Sequence, residues 1–564
     1  MNVFLFLWLS GGAWQSGATD SLAVLKSAQR ARDGFEITRR ANLPERPSGS
    51  SGGRYEIIGR LRYWYESGAD EDSAPEEPPR IRQARARLLA ALEEAAAALP
   101  GDEWIAGQRV RYALEDSQPR LAARAVEQCR AVAWWCAALG GLVGQVRGDF
   151  TGADSMFSAA FAAMPEDERC RWSDVTSLLE GELADRYRGL DCASRAAFEK
   201  RWWWLAQPLY SLLINDRRTE HFARQTMVRI EQGRRTTFGL YWENDLRDVW
   251  LRYGWPTWWS RQPSTSLASQ TEPNITGHDR SPAFRFTPGA RAVDDPWQSS
   301  PTDWRVDAPG TRERYAPVYA KSFADLGHQL SVFRRGDSCV VVAAYDLSRD
   351  TVLAHRPAHA ALVLARNEHD LVVRDHETRL DGPDVLTATA PCGRQLLSLE
   401  VVDTAQRRVA RARYGVVLEE HASLSDLLLL EGSDSLPTDL AAVLPHALAT
   451  TRVRSDQPLG LFWEVQGLSP RGEEVTTLLT VTRRGTGWLR HAFESIGLAA
   501  LRREVSLEWA EVLVPHPDNP TVAGRALAVD LSSISPGPYR IEVTVTARGR
   551  ASATVRRDIE LVRP

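Results

Sequence analysis

The sequence predicts a multidomain α+β protein with an α-helical N-terminal half, a small aromatic-rich mixed domain and two antiparallel β-sandwiches at the C-terminus. Three observations predict this order. Apolar residues recur at helical spacing over residues 80–163. Tryptophan and tyrosine are densest between residues 171 and 260. From about residue 326 the apolar period changes to two, as in strands that bury one face.

The N-terminus predicts export. Residues 1–18 contain the apolar run Phe4 to Leu9 and small residues at positions 16–18, as at a signal peptidase site. The run is too short to cross a bilayer, which takes about 20 apolar residues. We therefore expect a signal peptide over residues 1–18, no other transmembrane span and a periplasmic or extracellular location. A helix and a flexible linker are expected over residues 19–79.

Residues 80–170 are predicted to form a helical, tetratricopeptide-like domain. Its small and apolar residues have the spacing of a hairpin whose two helices pack closely. Those residues are Gly141, Ala153, Phe157, Ala160 and Pro165. Residues 104–129 look like a weaker preceding copy. Because stable arrays usually need three or more copies, we expect these helices to pack on neighbouring elements.

The six cysteines fall into three local pairs. Their even number suits disulfides formed in an oxidising compartment. Six buried, reduced thiols are the alternative. No two cysteines have the CxxC spacing, so a zinc site is not expected, and no metal or cofactor is predicted. The nearest-neighbour pairs are Cys129 with Cys136, Cys170 with Cys192, and Cys339 with Cys392.

The C-terminal half reads as two immunoglobulin-like sandwiches. Short alternating strands separated by turn signals occupy residues 326–420 and again residues 451–564. The leucine-rich segment 421–450 is predicted to connect them. Residues 261–325 are rich in serine, threonine, proline and arginine, and are predicted to be an irregular linker on the surface.

Three spaced motifs mark the aromatic block at residues 171–260. They comprise Trp203, Pro208, Asn215, Asp216, Trp242, Asp245, Tyr253, Gly254 and Pro256. In order and spacing they resemble the FW…DP…NE, WxTD and YGxP motifs of the GWxTD domain family. This chain departs from those motifs at Gln207, Tyr241 and Asn244. The resemblance implies an exported protein with C-terminal β-sandwich modules, and it carries no catalytic residue over to this chain.

Physical chemistry predicts structural roles for these motif residues. Proline lacks an N–H and bends or ends an element, as expected at Pro208 and Pro256. Gly254 permits a backbone conformation that a side chain would forbid. Asn215 and the adjacent Asp216 precede a helical stretch and are predicted to cap it. The two motif tryptophans are predicted to be large core residues.

The common catalytic motifs are absent from the sequence: there is no P-loop, GxGxxG, HExxH or GxSxG. A net charge of −4 gives no basic footprint, so nucleic acid is not an expected partner. Glu220, His221, Asp245 and Asp248 would form a titratable cluster if the aromatic block folded back on itself. That cluster is the first place to look for an active site.

Three functional hypotheses follow. The leading one is a non-catalytic envelope protein that binds or assembles with envelope protein partners through its repeats and sandwiches. The second is a hydrolase of an envelope polymer, using Glu220, His221 or Asp245 for acid–base chemistry. The third is a glycan-binding protein that uses exposed tryptophans. A deep charged pocket would favour the enzyme, and a flat aromatic strip the glycan binder.

Overall fold

The structure is a computed structural model that describes residues 13–45, 54–58, 60–67, 74–262, 274–281, 284–307, 313–348, 353, 357–378, 383–418, 423–484 and 503–563. The chain divides into two compact units. The first comprises Met1–Pro208, Leu212–Val293 and Arg305–Lys321, and the second Leu209–Ser211, Asp294–Trp304 and Ser322–Pro564. Helices dominate the first unit and strands the second, which confirms the α+β class. Most of the predicted signal peptide lies outside the described residues, and the finer domain boundaries stay predictions.

The first unit is built mainly from helices. Among its described residues, no helix is both long and apolar enough to cross a membrane. The helices are α1 (Ala13–Asn42), α2 (Pro79–Ala98), α3 (Glu103–Glu115), α4 (Pro119–Glu127), α5 (Ala133–Val146), α6 (Phe150–Ala163), α7 (Glu166–Ser173), α8 (Gly181–Arg188), α9 (Cys192–Leu205), α10 (Asp216–Glu231), α11 (Asn244–Tyr253) and α12 (Ala290–Asp294).

The predicted hairpin is present as α5 and α6. A Cβ at Gly141 would lie 2.6 Å from the ring of Phe157, so only glycine permits this approach. A Cβ at Gly144 would lie 3.0 Å from the backbone nitrogen of Ala153. The Asp149 carboxylate accepts a hydrogen bond from the N–H of Gly152 at 2.9 Å and caps α6. The weaker copy is also a pair of helices, α3 and α4.

The helical repeats and the aromatic block share one core. A single apolar cluster includes Leu88 of α2, Val110 of α3, Phe157 of α6, and Phe222 and Met227 of α10. The repeats therefore bury their apolar faces against α10, which replaces the third repeat that the array lacks. A separate cluster joins α8 and α9 through their buried apolar residues.

The prediction of an irregular surface linker at residues 261–325 is wrong. Part of this segment forms β4 (Asn274–Ser281), which lies between β2 (Leu61–Ser67) and β3 (Trp258–Gln262) in a four-stranded sheet completed by β1 (Arg54–Ile58). Phe284, Phe286 and Tyr315 are buried. Widely spaced aromatic residues bury this segment although it shows no regular period.

The second unit consists of two sandwiches, each with a three-stranded sheet and a five-stranded sheet. The first has the strand orders β10-β7-β6 and β5-β12-β11-β8-β9, and the second has β13-β15-β18 and β14-β20-β19-β16-β17. The strands are β5 (Ser322–Asp325), β6 (His328–Arg335), β7 (Ser338–Asp346), β8 (His359–Ala365), β9 (Leu371–Glu377), β10 (Pro383–Pro391), β11 (Gly393–Asp403), β12 (Arg408–Leu418), β13 (Leu428–Glu431), β14 (Arg452–Arg454), β15 (Leu459–Gln466), β16 (Glu473–Arg483), β17 (Arg503–Leu513), β18 (Val522–Val529), β19 (Gly537–Ala547) and β20 (Ala553–Val562).

Alternation along β19 agrees with the predicted period of two. Tyr539, Ile541, Val543 and Val545 are buried, and the residues between them are only partly buried. Each buried side chain contributes about 1.5–3 kcal/mol relative to its exposed state. The strand pairs with β16 on one side and β20 on the other.

The segment predicted as a connector, 421–450, is instead part of both sandwiches. It contains β13 and a short helix, α13 (Leu440–Val443). Leu428 and Leu430 pack on residues of the first sandwich, and Leu427 and Leu429 belong to the core of the second. A continuous run of leucines is typical of a strand buried on both faces. This is why the segment forms a strand shared by the two sandwiches and not a connector.

Candidate functional site

The three predicted disulfides are present. Cys129 bonds Cys136, Cys170 bonds Cys192, and Cys339 bonds Cys392. Disulfides persist in oxidising compartments and are rare in the cytosol. They therefore indicate a protein that folds after export.

The first motif forms the start of α10. Asn215 accepts a hydrogen bond from the N–H of Arg218 at 3.0 Å and donates one to the carbonyl of Trp203 at 2.5 Å. It is therefore the predicted helix cap, and it also ties α10 to α9. Asp216 is buried and accepts a hydrogen bond from the hydroxyl of Tyr315 at 2.6 Å. Burial raises the pKa of Asp216 to about 6.

The other motifs end α11 and lead into β3. Gly254 has φ +82 and its N–H donates to the carbonyl of Trp250, so it closes α11 in a conformation that glycine favours. Tyr253 is buried, and Trp242 meets Trp250 edge-on at 5.2 Å. Pro256 packs where Gly277 of β4 has no side chain. These contacts hold elements of the protein together.

The four residues of the predicted titratable cluster do not bond one another. Glu220 pairs with Arg217 at 2.8 Å and also with Arg224. Asp245 pairs with Arg60 at 2.7 Å, and Asp248 pairs with Arg252 at 3.3 Å. His221 is fully buried, and neither ring nitrogen has a hydrogen-bond partner in the described part of the chain. Burial and the neighbouring Arg217 hold its pKa well below its usual range, so the ring is neutral.

A serine–histidine contact between β3 and β4 is also closed to solvent. The Oγ of Ser260 lies 2.7 Å from Nε2 of His278, across β3 and β4. Trp258 stacks on His278 with ring centroids 3.5 Å apart. Both members of the pair are at most 2% exposed, so no substrate reaches the hydroxyl in this structure. The contact joins two strands.

A buried ion network, not predicted from the sequence, lies where α1, α3 and α10 meet. Arg39 donates to Glu36 at 2.5 Å and to Glu115 at 2.9 Å, and Arg111 bonds Glu115 at 2.9 Å and contacts Glu231. Burial by itself would raise the pKa of Glu36, but the surrounding arginines lower it to about 2. Glu36 is therefore charged at neutral pH.

The signal for this network was present in α1. Arg32, Glu36 and Arg39 have the i, i+4, i+7 spacing of one helix face, the same face that buries Ala28 and Phe35. A polar stripe beside apolar residues predicts buried ion pairs only when partner helices are known. The partners lie up to about 200 residues away along the chain.

The outer strand of the second sandwich, β17, presents exposed apolar side chains. It lies at the edge of its five-stranded sheet, paired with β16 over its length. Leu507 is 44% exposed and Val512 64% exposed. Glu504 and Glu508 are exposed beside them. Among the described residues, no strand pairs with the free edge of β17.

Comparisons with known proteins show no family for this chain. No protein-family model and no curated protein matches it. One matching solved structure is the crystal structure of a tetra-tandem repeat in the extending region of a large adhesion protein, 14% identical, with 42% of this chain and 49% of that chain covered and a TM-score of 0.14. The match thus spans about half of that structure, and at this TM-score nothing about function rests on it.

Proposed function

We propose that this protein is an exported, non-catalytic envelope protein that binds a protein partner, and that it is a divergent member of the GWxTD domain family. The observation that carries the proposal is the outer edge of β17, with which no described strand pairs, together with the exposed Leu507 and Val512. Free edges present unpaired backbone groups, and proteins usually cover or charge them. An extended partner segment would add a strand here by backbone hydrogen bonds.

The chemistry of β17 favours a particular kind of segment. Glu504 and Glu508 are exposed along the strand, so the fitting partner is an extended peptide that carries basic residues. The three disulfides support export. The order and spacing of the motifs around α10 and α11 support the family assignment.

The two alternative functions have less support. A hydrolase would need the carboxylates at Glu220 and Asp245 to be available, but each pairs with arginine. A glycan binder needs exposed tryptophans. Every tryptophan whose side chain the structure describes is buried or half-buried.

The test is cross-linking and affinity purification of the tagged full-length protein from its native envelope, with partners identified by mass spectrometry. We expect one stoichiometric protein partner. Leu507→Lys with Val512→Lys adds charge to the edge and should abolish its capture. Val417→Lys is the matched control, because Val417 is 58% exposed on a strand of the first sandwich.

Capture by the wild type and the control, but not by the double variant, supports the proposal. Equal capture by all three proteins overturns the assignment of β17. A preparation without any partner, from an envelope in which the protein is abundant, overturns the interaction role.

A further inference from the structure

His221 is buried where α9 meets α10. The centroid of its ring lies 5.1 Å from that of Trp203 on α9 and 5.6 Å from that of Phe222, its neighbour on α10. The residue is 0% exposed, and neither ring nitrogen has a hydrogen-bond partner among the described residues. A buried polar group without a partner destabilises a fold, so stability alone does not account for this histidine.

The ring lies on the boundary between two apolar cores. Trp203 belongs to the small cluster of α8 and α9, whereas Phe222 belongs to the main cluster of the first unit. Elements with a small core of their own can separate while the rest of a domain stays folded. The helices α8 and α9 form such an element, and the disulfide between Cys170 and Cys192 would still tie α9 to α7.

The charges around the ring are positive. Three arginines of α10 and one of α11 act on it electrostatically: Arg217, Arg224, Arg247 and Arg218. The guanidinium carbon of Arg217 lies 5.9 Å from the centroid of the Trp203 ring. That of Arg218 lies 5.1 Å from the centroid of the Phe222 ring. Both aromatic neighbours of His221 therefore already carry a cation.

The carboxylates of the surrounding elements are bonded to other groups. On α10 and the segment that covers it, Glu220 and Glu313 pair with Arg217, and Asp216 accepts from the hydroxyl of Tyr315. On α6, Asp154 pairs with Arg218 at 2.8 Å, and on α9, Glu199 accepts from Tyr187 at 2.5 Å. A protonated ring would therefore add a buried positive charge with no counter-ion, which is far more costly than burying the neutral ring.

We propose that His221 makes the contact between α9 and α10 acid-sensitive, so that acidification releases α8 and α9 from the rest of the first unit. Burial, and after it the arginines, hold the pKa of His221 well below its usual value of 6.5. The stability that the neutral ring contributes is therefore complete above pH 6.5 and is lost progressively as the pH falls from 6.5 towards the folded pKa.

This response is independent of β17 and goes beyond the proposed interaction role. Loss of partner capture and loss of the pH response are separate results, so either proposal can fail without the other.

The test is hydrogen exchange of the full-length protein from pH 7 to pH 5, corrected for the intrinsic pH dependence of exchange. It compares the wild type with His221→Phe, which keeps an aromatic ring but takes up no proton. The ratio of their opening constants in α9, wild type over variant, should rise about 25-fold between pH 7 and pH 5. Burial raises the pKa of Asp216 to about 6 and that of Glu199 to about 7, but both titrate in each protein, so the ratio removes their opposing effect.

Two further variants keep the test decisive. His221→Gln is polar but does not titrate, and it should follow His221→Phe. His369→Gln, at a side chain that is 76% exposed, is the control and should follow the wild type. A rise in α8 and α9 that exceeds the rise in α3 supports the proposal. A ratio that stays constant from pH 7 to pH 5 overturns it, and so does an equal rise in α3, because the whole first unit would then be unfolding.

Discussion

The two sandwiches share one architecture but differ in the contacts that restrain them. In both, a five-stranded sheet faces a three-stranded one, so the wider sheet extends past its cover. In the first sandwich β5 pairs only with residues 408–411 of β12, and residues 296–304 cover the rest of that strand. At the opposite edge, β9 in the first sandwich and β17 in the second each pair with only one described strand.

The cover of β12 depends on a glycine. Gly415 donates its N–H to the carbonyl of Ser299 at 3.0 Å, and a Cβ there would lie 2.1 Å from the carbonyl oxygen of Trp297. Further along, Arg411 donates to the carbonyl of Trp304 at 3.1 Å. Backbone-to-backbone approach of this kind closes an edge without adding a strand.

The first sandwich also has internal restraints that the second lacks. Cys339 and Cys392 are bonded, whereas the chain beyond residue 392 contains no further cysteine. Glu400 and Arg413 form an ion pair with both side chains at most 1% exposed. The comparison teaches that two modules of one architecture can differ in their internal restraints.

The largest expected effect is the loss of the buried ion pair. Arg413→Met leaves the Glu400 carboxylate buried without its cation and should cost about 3–5 kcal/mol. Hydrogen exchange of β11 under increasing denaturant measures this loss. Arg452→Met is the control, because Arg452 pairs with Glu560 at the surface and should contribute less than about 1 kcal/mol. Similar losses in the two variants would contradict the comparison.

The disulfide should have the next largest effect. Replacing Cys339 and Cys392 by alanine releases a loop with a sequence separation of 53 and should destabilise the first sandwich by about 2–4 kcal/mol. In thermal unfolding, the midpoint of the first sandwich should fall, and the midpoint of the second sandwich should change less. An unshifted transition would show that packing alone holds the module.

A smaller effect concerns the contact between the sandwiches. Burial raises the pKa of Glu464, although Arg335, bonded to it at 2.5 and 2.7 Å, opposes the rise. A carboxyl whose pKa is raised in the folded protein stabilises the fold fully at pH values below its unfolded pKa, 4.5. That stabilisation is lost as the pH rises through the folded pKa. Urea unfolding of Glu464→Gln should show a flatter decline above pH 4.5. Parallel curves for variant and wild type would contradict this.

The smallest effects are expected on the exposed strand faces. Val512→Lys and Val417→Lys should each change stability by less than about 0.5 kcal/mol, since both side chains are more than half exposed. Only Val512→Lys should reduce partner capture. A large loss of stability in Val512→Lys would mean that the edge of β17 serves the fold.

Local patterns were enough to predict much of this molecule. Alternation identified β19, the cysteine spacing identified the three disulfides, and the position of Asn215 before a helical run identified its cap. Each of these features depends on residues that are near one another in the sequence or on a strict period. The conformation at Gly254 belongs with them, since a positive φ at a helix end favours glycine.

Features that depend on distant partners were not predicted. The network around Glu36 joins α1 to α3 and α10, and nothing in the period of α1 states which helices supply the opposite charges. The burial of Phe284, Phe286 and Tyr315 was missed because these aromatic anchors are irregularly spaced. The four consecutive leucines before residue 431 were a usable signal that indicated a strand buried on both sides.

The place of β13 has an evolutionary consequence. Gln329 of β6 bonds both the N–H and the carbonyl of Leu429, so the same four leucines complete the core of one module and seal the neighbouring one. A recombination event that moved either module alone would leave an apolar strand without half of its surroundings. The two sandwiches therefore depend on each other, and we expect any duplication or transfer of one in evolution to include the other.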